Sequence, residues 1–337
     1  MDGAAAPVSG AEGDVVLQPQ VIPAPKAASA EARAFLTAPF WAGERDPLDP
    51  DDLAGWKAAI AVVDEMFAPL VAAMLVESGA LVEKRVMGGV TVHVATPRDL
   101  AASQRDKAHL FIHGGGWAFM GGEACGGQGA VQAARLGCRT IAVDYRNPPE
   151  HRYPAALDDC VAVYRELIKT VRPENIVISG SSAGGNLTAA TVLRIRDAGL
   201  PSPAAVGLMT PCTDGVLIGD TIATNDQLDT VLKQAAMDEF WAVYAGGHDR
   251  TDPYLSPVYA DFAKGFPPTL LQSGTRDLLL SDTVRLHRAL RRAGVEAELH
   301  VWEAMPHGGF GGLAPEDAEL TAELKGFFER HWGRPRG

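Results

Sequence analysis

The residues best able to do chemistry in this 337-residue chain are Gly180-Ser181-Ser182-Ala183-Gly184, Asp277 and His307. A serine hydroxyl is a poor nucleophile at neutral pH, so it needs a histidine to take its proton and a carboxylate to hold that histidine in the right tautomer. Small residues two before and two after Ser182 permit a sharp turn that lifts its Oγ clear of the chain, and a helix starting there favours developing negative charge. The apolar run 176–179 and the helical pattern over 183–197 supply that context. Asp277 follows an apolar run ending near Gln272 and His307 follows one ending near Val301, giving the chain order serine, acid, base. The rival acid, Asp282, sits with Ser281 where a helix should begin, a place where a carboxylate ordinarily caps or meets the helix dipole. Of the other histidines, His287 falls in a helical run and His151 in a proline-rich loop, whereas Pro306, Gly308 and Gly309 put His307 in a turn.

A second group, His113-Gly114-Gly115-Gly116-Trp117, also follows an apolar run. Glycines allow bare backbone N–H groups to converge on one point. With Ala183, the residue after the nucleophile, Gly115 and Gly116 would form an oxyanion hole, each donor worth about 3–4 kcal/mol in a site of this kind. A plain glycine-rich turn is the competing reading, but three such groups in order point to acyl transfer. Trp117, Phe119, Phe40 and Trp41 are candidate pocket walls, with ordinary core packing as the alternative for each.

These groups need a frame. Residues 1–30 are rich in Ala, Pro and Gly and read as a loose arm. Residues 30–78 read as helical segments interrupted by Pro47 and Pro50, a helical cap. Two short β runs, 81–86 and 90–95, joined by Gly88-Gly89, read as a hairpin at one sheet edge. Beyond it, apolar runs at 108–112, 140–143, 176–179, 205–209, 269–272 and 297–301 alternate with helical stretches. That alternation predicts a mostly parallel sheet covered on both faces. The stretch 211–257 has no clear strand and reads as an excursion joining the cap. The division expected is therefore an arm and cap over 1–78 and a catalytic domain over 79–337, with 211–257 contributing to the cap.

Bulk properties narrow the partners. The chain is 47% hydrophobic and 21% charged, with a formal charge of −12 and no basic stripe, which sets nucleic acid aside. Residues 1–26 lack the pattern of a secretory leader, and apolar stretches such as 58–76 contain Asp64, Glu65 and Pro69, so no membrane segment is expected and a cytoplasmic protein is. Cys125, Cys138, Cys160 and Cys212 lack C-x-x-C spacing, which suits buried free thiols better than a metal site or a disulfide frame.

The glycine group, Asp144-Tyr145-Arg146 with Pro149-Glu150-His151, the run Pro154 to Asp159, Gly180 to Asn186, Asp252 to Pro257, Asp277 and His307 together resemble the hormone-sensitive-lipase branch (family IV) of the α/β-hydrolases, over roughly residues 80–335. The resemblance implies an α/β-hydrolase fold, a mostly parallel eight-stranded sheet flanked by helices with a helical cap. It implies a serine carboxylesterase acting on short to medium acyl esters, a small-molecule substrate and no cofactor. It also implies that His113 and Gly114 support the glycine loop without reacting, that Arg146, Glu150 and Asp159 are scaffold residues, and that a homodimer forms through the last strand and helix. Ser181 and Gly308-Gly309 depart from the branch's commoner patterns and leave substrate preference open. A lactonase or amidase using the same triad is an alternative. A non-catalytic receptor of the same fold is another, disfavoured by the presence of His307 because receptors of the branch lose that histidine.

Overall fold

The computed structural model describes residues 21–37 and 47–334, with the backbone of a small antiparallel pair, β1 (Val8–Ser9) and β2 (Val15–Val16). Helix α1 (Ala30–Thr37) is followed by α2 (Leu53–Ser78). The side chain of Asp52 accepts the N–H of Gly55 to open α2, and Gly79, in the left-handed region, closes it. Pro69 lies inside α2 without ending it. The expectation that Asp64, Glu65 and Pro69 leave no apolar stretch of membrane length here is corrected, because all three lie within one continuous apolar helix. Glu65 and Pro69 are exposed, so water can take up the carbonyl that a proline leaves unbonded. Val62, Met66, Leu70 and Val76 of α2 are exposed as well. Among the described residues it is the one helix long and apolar enough to cross a membrane, with a mean hydropathy of 2.0 in its most apolar window.

The main sheet is built from β3 (Leu81–Met87), β4 (Val90–Thr96), β5 (Ala108–Ile112), β6 (Thr140–Val143), β7 (Ile176–Ser181), β8 (Ala205–Met209), β9 (Thr269–Gly274) and β10 (Ala297–Trp302). Their spatial order is β10-β9-β8-β7-β5-β6-β4-β3. The pairs from β6 through β10 are parallel, whereas β4 runs antiparallel to both β3 and β6, the edge hairpin anticipated from Gly88-Gly89. The inner strands are buried along nearly their whole length, as parallel strands with both faces covered must be, while β3 exposes Glu83, Lys84 and Arg85 at the edge. Alternation along β7 serves two cores. Ile176 and Ile178 face the larger one with Leu157, Leu187 and Leu193, and Val177 faces a smaller one with Phe327 and Phe328.

The helices that follow the strands are α3 (Glu123–Leu136), α4 (Ala155–Leu167), α5 (Ala183–Asp197), α6 (Asp220–Thr224), α7 (Gln234–Ala245), α8 (Leu280–Arg292) and, after the last strand, α9 (Pro315–His331). The stretch 211–257 carries α6 and α7 and no strand. Trp56 and Val63 of α2 meet Val243 of α7 and Phe119 in a separate apolar cluster, so the early helix and the late excursion pack on the same loop.

Candidate active site

Strand β7 ends at Ser181 and α5 begins at Ala183, leaving Ser182 at the corner with φ 57° and ψ −123°. That backbone is strained for an L residue, and it persists because its surroundings impose it. The Ser182 N–H donates to Met209 O at 3.0 Å, and a Cβ at Gly184 would stand 2.1 Å from Ile112 O, so only glycine lets α5 leave the strand so steeply. Asn186, one turn on, donates through Nδ2 to Cys212 O (2.8 Å) and Leu255 O (2.7 Å), tying the start of α5 to the loops around it.

His307 Nε2 lies 2.8 Å from Ser182 Oγ, and its Nδ1 lies 3.0 Å from Asp277 Oδ1. Because a carboxylate only accepts, Nδ1 carries the hydrogen and Nε2 is left to accept the serine O–H. Asp277 is fixed in turn: its Oδ2 accepts Ser273 Oγ–H (2.6 Å) and its Oδ1 the Leu279 N–H (2.9 Å). His307 is 6% exposed. Burial pushes its pKa down, but the hydrogen bond and charge of Asp277, with the charges of Asp229 and Asp282, outweigh burial and hold it above the ordinary histidine value.

Asp229 has no counterpart among the sequence candidates. Its Oδ2 accepts the N–H of His307 (3.2 Å) and of Leu278 (2.8 Å), and its Oδ1 accepts those of Val231 and Leu232. It thus joins the loops bearing the acid and the base to the 211–257 excursion. Burial, opposed by His307, holds its own pKa above the usual carboxylate value. Asp282 does lie in the first turn of α8, but its carboxylate accepts the N–H groups of Thr213 (2.7 Å) and Asp214 (3.0 Å) and braces the loop after β8, in place of the helix-capping role expected. Ligand atoms of Asp229, Asp277 and His307 lie within 4.8 Å of one another, close enough for an ion, but their hydrogen bonds already engage them.

The glycine loop follows β5. Gly115 and Gly116 have φ of 96° and 57°, and a Cβ at Gly116 would meet the Phe240 ring at 2.7 Å. Phe240 of α7, absent from the sequence candidates, therefore covers this loop. The N–H groups of Gly115, Gly116 and Ala183 donate to no protein acceptor among the described residues. His113 does not reach Ser182. Its Nδ1 bonds Gly114 O at 2.8 Å, its ring stacks on Tyr145 at 4.1 Å, and Tyr145 donates its O–H to His113 O at 3.0 Å. Burial, partly offset by the bond to Gly114, pushes its pKa down to about 4. The Trp117 ring is enclosed in the core, stacked on Tyr244 at 4.4 Å, and Phe119 packs on Trp56 and Phe240. Phe40 and Trp41 lie outside the described residues. The scaffold residues pair off, Arg146 forking onto Asp159 (2.8 Å) and Glu150 meeting Lys57 (3.0 Å).

The profile of a family described as alpha/beta hydrolase fold matches residues 109–310. The chain is 32% identical over 280 residues to a putative acetyl-hydrolase, LipR, of Mycobacterium tuberculosis, covering 81% of this chain and 89% of that one. It is 32% identical over 224 residues to carboxylesterase NlhH of the same organism, covering 63% of this chain and 70% of that one. Among solved structures it is similar to an esterase, E25, with a TM-score of 0.85 at 36% identity, covering 95% of this chain and 100% of that one. An esterase of the bacterial hormone-sensitive lipase family matches with a TM-score of 0.77 at 29% identity, covering 91% of this chain and 100% of that one.

Proposed function

From the premise that this chain belongs to the α/β-hydrolase family, in its hormone-sensitive-lipase branch, and is a carboxylic-ester hydrolase, we propose that Ser182 is the nucleophile, His307 the general base and Asp277 the orienting acid. The observation that carries this reading is the single imidazole of His307 bridging Ser182 Oγ and Asp277 Oδ1 at a strained strand-to-helix corner.

In this mechanism Ser182 Oγ attacks the acyl carbonyl while its proton passes to His307 Nε2, and Asp277 stabilises the imidazolium that results. The carbonyl oxygen, now negative, accepts from the N–H groups of Gly115, Gly116 and Ala183, with the N-terminus of α5 adding its positive end. Collapse expels the alcohol, protonated by His307, and leaves an acyl-serine. Water then attacks with His307 again taking the proton, releasing the acid and restoring the serine O–H. The ester O is a good enough leaving group for this machinery, and the Phe240 ring over Gly116, backed edge-on by Phe119, supports a preference for short to medium acyl chains. Four buried free thiols favour a reducing, cytoplasmic setting, and the edge strand β10 with α9 is offered as the surface of a homodimer.

The test is hydrolysis of p-nitrophenyl esters from acetate to palmitate by the wild type and by Ser182→Ala, with sedimentation and cell fractionation alongside. Turnover peaking at short or medium chains and lost in the variant is the expected result; turnover surviving in Ser182→Ala would overturn the assignment.

A further inference from the structure

At the start of the glycine loop, four side chains from four separate elements converge. His113 follows β5, Cys125 sits in the first turns of α3, Asp144 follows β6, and His93 lies on β4. One ligand atom each from His113, Cys125 and Asp144 fall within 4.8 Å of one another, and His93 Nε2 is 3.7 Å from Asp144 Oδ2, beyond hydrogen-bond reach. Both His113 Nε2 and His93 Nε2 are buried without a hydrogen-bond partner among the described residues. Buried polar atoms of that kind call for an explanation. For His113 the tautomer is fixed: Gly114 O can only accept, so Nδ1 holds the hydrogen and Nε2 presents a bare lone pair. Asp144 spends Oδ1 on the Gly122 N–H at 2.8 Å and turns Oδ2 toward His93.

We propose that His113 Nε2, Cys125 Sγ, Asp144 Oδ2 and His93 Nε2 form a binding site for a thiophilic divalent cation of the zinc or cadmium type, and that its occupancy slows ester turnover. The donor set, two imidazoles, one thiol and one carboxylate oxygen, is the mixed N, S and O set such ions take in tetrahedral sites. With bonds of about 2.0–2.3 Å, a tetrahedral ion would hold its donors roughly 3.3–3.8 Å apart, a spacing that His93 Nε2 and Asp144 Oδ2 already have at 3.7 Å and to which the donors of His113 and Cys125, within 4.8 Å of each other and of Asp144, would draw in. That contraction pulls on the His113 ring, which is bonded to Gly114 O and stacked on Tyr145, and so displaces the loop whose N–H groups face the reacting carbonyl. Asp144, with a side chain 17% exposed, is the point of entry. The thiol of Cys125 is neutral in the free protein, since burial pushes its pKa up, so its proton must leave to water as the Cys125 Sγ to metal bond forms. Binding accordingly releases one proton and tightens as pH rises. The site itself stands independently of the ester-hydrolase mechanism above; only its effect on turnover rests on it.

The experiment is titration of the metal-free full chain with Cd2+, reading the ultraviolet cadmium–thiolate charge-transfer band, proton release and p-nitrophenyl butyrate turnover. We expect one equivalent to give the band and one proton, and turnover to fall by about tenfold or more and return on chelation. Cys125→Ser should abolish the band and make turnover indifferent to Cd2+, and His93→Gln should weaken binding by about 10–100-fold. Thermal melting confirms that each variant is folded, with Cys125→Ala as the substitute if the serine fails. A band that persists without Cys125, or no band in the wild type, overturns the site. A Cys125-dependent band with unchanged turnover overturns the coupling, and a band in a protein that hydrolyses no ester at all faults the mechanism and leaves the site standing.

Discussion

Two serines three positions apart, one within β7 and one at the corner that follows it, each meet a histidine. Ser182 Oγ is 2.8 Å from His307 Nε2, and Ser179 Oγ, still within β7, is 2.7 Å from His109 Nε2 on the neighbouring β5. By bond length they are equivalent. They differ in the third partner and in the surroundings. The far nitrogen of His109 meets the Thr140 hydroxyl at 3.2 Å where His307 meets a carboxylate, and its ring is 0% exposed between Phe111 and Phe328. Unopposed burial pushes the His109 pKa down to about 3, so it cannot hold a proton near neutrality, whereas three carboxylates hold that of His307 up. Ser179 has ordinary strand backbone and no facing glycine loop; Ser182 sits at the strained corner beside one. A hydrogen bond between a serine and a histidine can therefore be a strand-to-strand rivet in one place and, on the reading proposed above, an activated hydroxyl in the other, and the charge behind the imidazole is what separates them.

The sharpest break of this contrast comes from Ser182→Ala, which should cut kcat by at least about ten-thousandfold in steady-state assays while folding normally. Asp277→Asn comes next: it makes the His307 partner resemble that of His109, and kcat should fall by about ten-thousandfold or somewhat less. Asp229→Asn, which weakens the hold on His307 N–H and removes one supporting charge, should lower kcat by about tenfold, a loss on the scale of one buried hydrogen bond. The sign of its pH effect follows from the base role. His307 must be neutral to accept a proton, so kcat/KM falls as pH drops through its pKa. In the wild type that acid limb should lie above the ordinary value near 6.5, and Asp229→Asn should move it to lower pH; a limb that does not move would remove Asp229 from the electrostatics of the base. Ser179→Ala is the smallest effect: turnover within about twofold of wild type, and a stability loss of about 1–3 kcal/mol as His109 Nε2 loses its partner, read as a melting temperature a few degrees lower. Activity lost with Ser179 would dissolve the distinction altogether.

Much of the frame was legible because its signals are local. Strands β5, β6 and β8 fall where their apolar runs put them, and the meeting of Ser182, Asp277 and His307 was foreseeable from residue type, order and position after strands. β7 and β9 run further than their apolar runs, to Ser181 and Gly274, because small polar residues end both and carry no hydrophobic signal. The continuity of α2 through Pro69 was hidden because the usual penalty for an interior proline shrinks on a solvated face. Asp229 and Phe240 were invisible for another reason: each acts across a long chain separation, on His307 and on Gly116, and neither carries a motif. Cys125, likewise, was read by the spacing of cysteines, whereas its neighbours are histidines and an aspartate brought in by three other elements.

The bonds of Asp229 set a boundary for anyone recombining this enzyme with a relative. The excursion between β8 and β9 is the natural segment to exchange when a different acyl preference is wanted, since α7 lays Phe240 over the glycine loop. Yet the same segment delivers the carboxylate that both the Leu278 and His307 backbones lean on. A chimera joined before residue 229 inherits whatever its donor places there, and one joined after Leu232 keeps this support and still replaces the aromatic wall. The seam, more than the similarity of the parents, should decide which hybrids retain their turnover.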